Sequence, residues 1–285
     1  MNVLLTGSSG FIGTYFKNRY KDKYSIKTFS FLTENIEDLD LTNIETIVHL
    51  SALVHQMGGA STEEYEKINV TQTIELATKA KRSGVKHFIF MSTVKVCGEE
   101  TNNKYTENSI CDPQDEYGKS KLKAEQELKK LENDDFKVSI IRTPIVYGFG
   151  VKANIKNLVN LVNKVPVLPF AGIDNNRSMV YIGNLCYLID TIIDKRQSGV
   201  FLAADDEPLS TTKLIQMIAS ALDKKIFLIK IPFFETLLRL IKPNFHKRLY
   251  GSLEVNNELT RKKLNFKNKF SVEEGIKFMI HGEIK

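Results

Sequence analysis

Tyr117 and Lys121 stand four positions apart, a spacing with a chemical use. On a helix the two side chains share one face, and Ala124, Leu128 and Leu131 continue the segment with helical periodicity. A phenol titrates near pH ~10, so it is a poor base at neutrality, but a nearby ammonium group lowers its pKa. A tyrosine tuned in this way takes a proton from a sugar hydroxyl or gives one to a ketone. The spacing therefore predicts a helix that carries an acid/base tyrosine.

The elements that position this helix begin with a strand, a glycine turn and a helix at the N-terminus. Residues 2–6 are apolar, and residues 7–13 read Gly-x-x-Gly-x-x-Gly. Gly7 permits a tight turn, Gly10 lets the backbone approach a pyrophosphate, and Gly13 lets the helix pack on the strand. The helix N-terminus then offers free N–H groups to phosphates. The pattern predicts a dinucleotide-binding site.

The end of the second predicted strand, residues 24–29, bears on the choice of cofactor. An acidic residue at this point grips the ribose 2′-hydroxyl of NAD, but here no carboxylate follows until Glu34. Lys27 or Ser30 is available to contact a 2′-phosphate instead. The sequence therefore favours NADP(H) weakly over NAD(H), with the alternative that Glu34 turns back toward the strand.

Further strands are predicted at residues 39–41, 46–50, 86–91 and 138–142, with a helix at 65–83. Their alternation with helices to about residue 150 indicates an α/β, doubly wound parallel sheet. Asp38 and Asp40 are alternative contacts for adenine, and His49 is expected to be a packed, hydrogen-bonded histidine. Ser92 and Thr93 follow a strand at the carboxyl edge, where ligands bind in open parallel sheets.

The composition of the chain limits the classes of partner that it is expected to bind. The 285 residues are 42% hydrophobic, enough for a sizeable core, and the net charge of +6 suits an anionic small molecule without indicating nucleic acid. Three widely spaced cysteines (Cys97, Cys111 and Cys186) and five scattered histidines predict no metal site and no disulfide, which indicates a reducing, cytoplasmic setting. No apolar run approaches the ~18 residues of a membrane span, and no signal peptide is expected.

With these motifs in this order, the chain resembles the extended short-chain dehydrogenase/reductase family. It is most similar to the nucleotide-sugar epimerase, dehydratase and 4-ketoreductase branch, from residue 2 to about 205 and more loosely beyond. The resemblance implies a Rossmann domain and a smaller C-terminal nucleotide-sugar-binding domain. These are residues 1–150 plus 178–206, and residues 151–177 plus 207–285. It also implies a homodimer formed through the helix that carries Tyr117.

The resemblance assigns catalytic roles by position. Thr93 matches the family's catalytic Ser/Thr, Tyr117 its acid/base, and Lys121 the residue that binds nicotinamide ribose and polarises the tyrosine. Cys97 replaces the tyrosine of a Val-Tyr-Gly signature, and Asn69 matches a structural asparagine. The residues expected at the cofactor are Gly7, Gly10, Phe11, Ile12, Gly13, Ser30, Leu50, Ser51, Ala52, Tyr117, Lys121 and Pro144.

Four residues are expected at the substrate, which the resemblance implies is UDP-linked. They are Thr93, Asn154, Arg177 and Tyr250. Asn154 matches a position that touches phosphate or nucleotide, and Arg177 matches an arginine that grips the diphosphate with its planar fork. Tyr250 begins a segment that resembles one near the sugar-nucleotide site.

The residues after Thr93 bear on the reaction. Val94 and Lys95 stand where family dehydratases have Asp-Glu, so dehydration is rejected. In its short length, in the absence of an acid after the second strand and in the presence of Lys95, the chain resembles bacterial 4-ketoreductases. The main expectation is therefore reduction of the C4 ketone of a UDP-4-keto-6-deoxy-N-acetylhexosamine for surface polysaccharide. A UDP-hexose 4-epimerase that retains its cofactor is the alternative, and a non-catalytic dinucleotide sensor is the alternative of another class.

The apolar segment 233–241 is followed by a basic tail and permits two interpretations. It is either a helix on a membrane surface or the hydrophobic wall of the small domain. Pro232 and Pro243 confine the helix to a short length, which favours the wall and no membrane insertion.

Overall fold

A six-stranded parallel sheet lies at the centre of the computed structural model, which describes residues 1–54, 60–101 and 103–283. Its strand order is β2-β1-β3-β4-β5-β9, which confirms the predicted doubly wound α/β fold. Two further pairs of short parallel strands join β6 to β8 and β7 to β10. The strands are β1 (Asn2–Thr6), β2 (Ser25–Phe29), β3 (Thr46–His49), β4 (His87–Thr93), β5 (Lys137–Thr143), β6 (Ile145–Tyr147), β7 (Val167–Leu168), β8 (Met179–Tyr181), β9 (Gly199–Leu202) and β10 (Phe227–Leu228).

Helices cover both faces of the sheet, so the inner strands β1, β3, β4 and β5 are almost fully buried, whereas the edge strand β2 is largely exposed. Alternate residues of β1 enter different cores: Val3 and Leu5 pack on one face, and Leu4 packs on the other. The helices are α1 (Phe11–Tyr20), α2 (Thr62–Tyr65), α3 (Gln72–Arg82), α4 (Glu116–Leu131), α5 (Ala153–Lys164), α6 (Ile182–Lys195), α7 (Thr211–Ala221), α8 (Phe234–Ile241), α9 (Pro243–Tyr250), α10 (Glu258–Leu264) and α11 (Val272–His281).

The helix predicted at 65–83 begins earlier and is not uniform. A π-helical segment, Glu66–Thr71, joins α2 to α3. The sequence also predicts a polar loop at 57–64; residues 57–59 lie outside the described residues, and residues 62–64 belong to α2.

The strand predicted at 39–41 is wrong. Leu39 and Leu41 are buried in a core, but their backbone joins no sheet. The Asp40 carboxylate accepts hydrogen bonds from the amide and hydroxyl of Thr42, at 2.9 and 2.6 Å. This local turn bends the chain where a strand would have to stay straight. Too few residues then remain before β3 for a crossover helix. The apolar run therefore packs as an extended crossover.

The hydrophobic wall predicted at 233–241 is found on one face of the segment only. Helix α8 has no buried residue, although Phe234 and Leu238 pack partly against the core. Leu237, Leu240 and Ile241 are exposed. Within the described part of the chain, no helix combines the length and apolar composition needed to cross a bilayer.

Candidate active site

The carboxyl edge of the sheet brings the glycine turn against the end of β3. Gly7 has a φ of +66°, and a Cβ atom there would lie 2.8 Å from the backbone of Leu50 and Ser51. A Cβ atom on Gly13 would lie 2.2 Å from the Gly7 carbonyl oxygen. Gly10 precedes α1 without a side-chain cap, so the first amides of the helix stay available. The turn fits a pyrophosphate, as the sequence predicts.

His49 ends β3 beside this turn. Its Nδ1 lies 2.8 Å from Thr6 Oγ1, and its Nε2 lies 3.0 Å from Thr73 Oγ1. Burial, helped by the positive charge of Lys121, lowers the pKa of His49 to about 3, so its ring is neutral. His49 is thus the packed, hydrogen-bonded residue that was expected.

Helix α4 holds Tyr117 in its first turn through a capping carboxylate. Asp115 Oδ1 accepts a hydrogen bond from the Gly118 amide at 2.7 Å, and Asp115 Oδ2 pairs with Lys95 Nζ at 2.6 Å. A Cβ atom on Gly118 would approach the Lys95 carbonyl oxygen to 3.0 Å. The Tyr65 ring lies 6.3 Å from that of Tyr117. The cap and the missing side chain bring the start of α4 against the turn that follows Thr93.

Lys121 lies one turn further along α4 and is only 1% exposed. Its Nζ lies 3.9 Å from the centre of the Phe90 ring, and no described residue accepts a hydrogen bond from it or forms an ion pair with it. Burial lowers the pKa of Lys121 to about 7. A buried ammonium group without acceptors is costly, and ribose hydroxyls would supply them. Lys121 therefore fits a nicotinamide nucleotide.

The predicted lowering of the Tyr117 pKa by Lys121 is not found in the protein alone. Burial raises the pKa of Tyr117, and the negative charge of Asp115 and the nearby Tyr65 raise it further. The lysine ammonium is directed at Phe90 instead. Tyr117 is therefore a protonated phenol at neutral pH until a ligand changes its surroundings.

Thr93 and Ser92 have different surroundings at the end of β4. Ser92 Oγ donates to the buried Glu125 carboxylate, which also accepts from Arg142 Nη2 at 2.7 Å. Among the described residues, Thr93 Oγ1 has a single hydrogen bond, which it accepts from the Lys95 amide at 3.3 Å. Side chains alternate along a strand, so Ser92 belongs to the buried ion pair and Thr93 remains available to a substrate.

The sequence did not predict the network around this ion pair. Arg142 Nη1 lies 3.6 Å from Cys97 Sγ, and Arg142 Nη2 lies 3.2 Å from Cys111 Sγ. A hydrogen bond from Cys97 and the charge of Arg142 lower the pKa of Cys111 to about 6. The sequence did hold one signal for the position of Glu125, because it stands four residues after Lys121 and therefore lies on the same face of the helix.

Asn69 connects the end of β3 to α4 as a structural residue. Its Nδ2 donates to the Leu53 carbonyl oxygen and the Ser120 hydroxyl, both at 3.0 Å, and its Oδ1 accepts from the Leu53 amide at 2.8 Å. The segment 50–52 is held between Asn69 and the glycine turn. Within it, Leu50, Ser51 and Ala52 are partly buried.

At the end of β2, an acidic residue does occupy the position that looked empty in the sequence. Glu34 Oε2 accepts a 2.8 Å hydrogen bond from the Ser30 amide. Glu34, Asp38 and Asp40 line a cavity of about 360 Å³ there. Thr42 engages one carboxylate oxygen of Asp40, and Asp38 and Asp40 both stay predicted contacts for an adenosine. Glu34 thus takes the place of the missing acid, while Lys27, whose Nζ donates to the Asp40 carbonyl oxygen at 2.7 Å, lines the same cavity.

The predicted substrate residues are only partly brought together. Arg177 Nη1 donates to the Gly251 carbonyl oxygen at 2.9 Å, so it lies beside the end of α9, where Tyr250 stacks on His246 with ring centres 4.9 Å apart. Burial lowers the pKa of Arg177, and the nearby Arg248 contributes. Asn154 is exposed at the start of α5, and no described contact joins it to Arg177.

The remaining predicted cofactor residues surround the glycine turn or end a strand. Phe11 and Ile12 form the first turn of α1 and are partly buried against a core. Pro144 is buried at the break between β5 and β6. No group of three or more His, Cys, Asp or Glu side chains in the described ranges is arranged to hold a metal ion.

A parallel sheet with a glycine turn, a hydroxyl at a strand end and a Tyr-x-x-x-Lys helix defines an enzyme of the short-chain dehydrogenase/reductase class. The chain belongs to the NAD dependent epimerase/dehydratase family, whose model matches residues 3–203.

Relatives and solved structures agree with this assignment. The chain is 37% identical to a UDP-glucose 4-epimerase of Vibrio cholerae, over 97% of this chain and 93% of that protein. It is 30% identical to the N-acetyl-alpha-D-glucosaminyl-diphospho-ditrans,octacis-undecaprenol 4-epimerase of Escherichia coli O157:H7, over 81% and 76%. The structure of a UDP-glucuronic acid 4-epimerase from Bacillus cereus in complex with NAD is similar, with a TM-score of 0.80 and 18% identity. That match covers 99% of this chain and 98% of the other, and it supports the fold.

Proposed function

We propose that the protein is an NAD-dependent 4-epimerase of a hexose or N-acetylhexosamine carried on a diphosphate. Two relatives at 37% and 30% identity are named as 4-epimerases, which supports this reaction over the reduction expected from the sequence. A 4-epimerase oxidises C4, lets the ketone turn over, and reduces its other face. It returns the cofactor to its starting state in each cycle.

The position of Glu34 carries the proposal. Its carboxylate accepts from the Ser30 amide beside a cavity that Asp38, Asp40 and Lys27 also line, and the Lys27 ammonium is engaged by the Asp40 carbonyl oxygen. A 2′-phosphate would meet this negative charge, whereas a ribose 2′-hydroxyl would donate to it. The site thus suits NAD, the cofactor that a self-recycling epimerase keeps.

Each catalytic side chain then has a defined task. Tyr117 takes the proton of the C4 hydroxyl and later returns it, and Thr93 hydrogen-bonds the same oxygen. Lys121 binds the nicotinamide ribose through the ammonium that has no other acceptor. When bound, NAD accepts the C4 hydride and gives it back, and its oxidised ring adds a positive charge that favours the phenolate.

The group at the other end of the diphosphate distinguishes two candidate substrates. Residues 151–177 and 207–285 would hold the sugar diphosphate, with Arg177 and Arg248 on its charges. A uridine is the first candidate, as in the Vibrio relative. Undecaprenol is the second, because the Escherichia relative is named for it and helix α8 exposes apolar side chains.

Turnover without added cofactor tests the proposed reaction. We expect purified protein to convert UDP-N-acetylglucosamine, or its undecaprenyl diphosphate counterpart, into the C4 epimer, detected by proton NMR. Consumption of NADPH with a 4-keto sugar would establish the reductase instead. Tight cofactor binding without any product would establish a sensor.

Replacing Glu34 with Ser should shift the cofactor preference toward NADP. The substitution removes a like charge and frees the Ser30 amide for a phosphate, so we expect the ratio of NADP to NAD affinity to rise about tenfold. Calorimetry with both cofactors measures the ratio. Glu37→Ser, which removes a nearby acid outside this cavity, is the control. A parent protein that prefers NADP would contradict the assignment of Glu34.

Replacing Arg177 with Ala should weaken binding of the sugar diphosphate. Loss of a charge-assisted contact of ~1.5–3 kcal/mol corresponds to a roughly ten- to hundredfold rise in substrate Kd. The maximal rate should change less, because the diphosphate is remote from C4. Arg196→Ala, which removes an exposed arginine paired with Glu45, controls for net charge. An unchanged substrate affinity with Arg177→Ala would remove this residue from the site.

A further inference from the structure

Exposed apolar side chains are concentrated in one short segment. Among the described residues, 16 large apolar side chains are exposed, and eight of them lie between Phe227 and Phe245. We call residues 224–248 the apolar–basic surface. Single exposed apolar residues need no explanation, but a contiguous group indicates an interaction site.

Helix α8 has two apolar faces, and the fold covers only one. Phe234 and Leu238, four residues apart, pack against the core, where the Phe234 ring lies 6.3 Å from that of Phe170. Leu240 and Ile241 face away and are 76% and 65% exposed. The residue before the helix, Phe233, has a φ of +62° and is 86% exposed. A strained backbone that presents an aromatic ring to water points to burial in a partner.

The charge of this surface identifies the partner. Residues 224–248 contain seven Lys and Arg residues and one acidic residue, Glu235. Their net charge of +6 equals that of the whole chain, so the rest is electrically balanced. All seven basic side chains are exposed, and none forms an ion pair with a described residue. Glu235 lies 3.3 Å from His246. A second copy of this surface would bring +6 against +6, so the partner must be anionic.

We propose that the apolar–basic surface docks on an anionic phospholipid bilayer. Phe233, Leu240 and Ile241 would enter the boundary between headgroups and acyl chains, and the surrounding lysines and arginines would bind lipid phosphates. Helices α8 and α9 have eight residues each, far fewer than the ~20 that span a bilayer. The docking is interfacial and leaves the chain on one side of the membrane.

The surface is continuous with the proposed diphosphate site. Helix α9 belongs to it, and Arg177 Nη1 donates to the Gly251 carbonyl oxygen at the end of that helix. Docking would hold this arginine near the bilayer, within reach of a sugar diphosphate on a lipid. The inference goes beyond the proposed function, since membrane binding requires no catalysis.

Flotation with lipid vesicles tests the docking without any substrate. We expect the full-length protein to float with vesicles of phosphatidylethanolamine and phosphatidylglycerol, and not with phosphatidylcholine alone. Leu240→Gln/Ile241→Gln should reduce binding at least about tenfold. In Lys230→Gln/Lys242→Gln, each removed charge should reduce binding about fivefold at low salt. Ile110→Gln/Leu259→Gln, which alters exposed apolar residues elsewhere, should bind as the parent does.

Three results would overturn the proposal. Failure of the parent to float with anionic vesicles is the first. Retained binding in Leu240→Gln/Ile241→Gln, together with loss in the lysine variant, would indicate a site for soluble polyanions. If sedimentation velocity shows that the parent is a dimer and that Leu240→Gln/Ile241→Gln is a monomer, the surface is a protein interface. None of these results depends on the epimerase reaction.

Discussion

Replacing Tyr117 with Phe should lower kcat by ~10²–10⁴ while leaving cofactor affinity nearly unchanged. The substitution keeps the ring against Tyr65, so the fold should survive, and it removes only the hydroxyl that exchanges a proton with the C4 oxygen. Thr93 would still bind that oxygen but could not take up its proton at neutral pH. Steady-state turnover and calorimetric titration with NAD would separate the two effects.

Tyr65→Phe is the matched control for this prediction. The Tyr65 hydroxyl lies 3.5 Å from the Val54 carbonyl oxygen, outside the proposed chemistry. Its loss should change kcat only a few-fold. A Tyr117→Phe enzyme that is folded and turns over within a few-fold of the parent would exclude α4 as the catalytic element.

Replacing Lys121 with Met should abolish cofactor binding and yet stabilise the protein without cofactor. The buried ammonium lies over the Phe90 ring without a hydrogen-bond acceptor among the described residues, and burial lowers its pKa from 10.5 to about 7 although the charge of Glu125 acts against this. At ~1.4 kcal/mol per pKa unit, the fall from 10.5 to about 7 means that burying this charge costs on the order of 4 kcal/mol at pH 7. Methionine packs against the ring without that cost.

The pH dependence of this gain has a definite sign. Between pH 7 and 10.5 the unfolded lysine binds more protons than the folded one, so its contribution to stability rises with pH. The advantage of Lys121→Met should be largest near or below pH 7 and should shrink toward pH 10. Urea unfolding at several pH values measures it, with Lys119→Met, at an exposed lysine paired with Glu116, as the control. A variant less stable than the parent at pH 7 would show that Lys121 is structurally compensated.

The sequence predicted the parts of the site that local geometry dictates. The glycine turn requires Gly7 and Gly13 because any Cβ atom there would collide with backbone. The spacing of Tyr117 and Lys121 placed both on α4, which Asp115 caps. The order of strands and helices gave the sheet. These features depend on neighbours in the chain, so a pattern is enough to find them.

The features that the sequence missed depend on contacts between distant elements or on a choice of side-chain direction. Glu34 reaches back to Ser30, which the sequence offered only as an alternative, because no periodicity encodes the path of that loop. Lys121 turns to Phe90, a residue on another element, and so leaves the Tyr117 pKa to burial and Asp115. Helix α8 has the apolar content of a buried wall, and only the fold reveals which face is covered.

Transfer of a C4 deuterium tests the proposed epimerisation most directly. N-acetylglucosamine deuterated at C4, linked to UDP or to undecaprenyl diphosphate, would be incubated with the protein and an excess of unlabelled NADH. An enzyme that keeps its cofactor through oxidation and reduction returns the label to C4, so mass spectrometry should find deuterium in the epimerised product. An epimer that has lost its label, or no epimer from either substrate, would contradict the account.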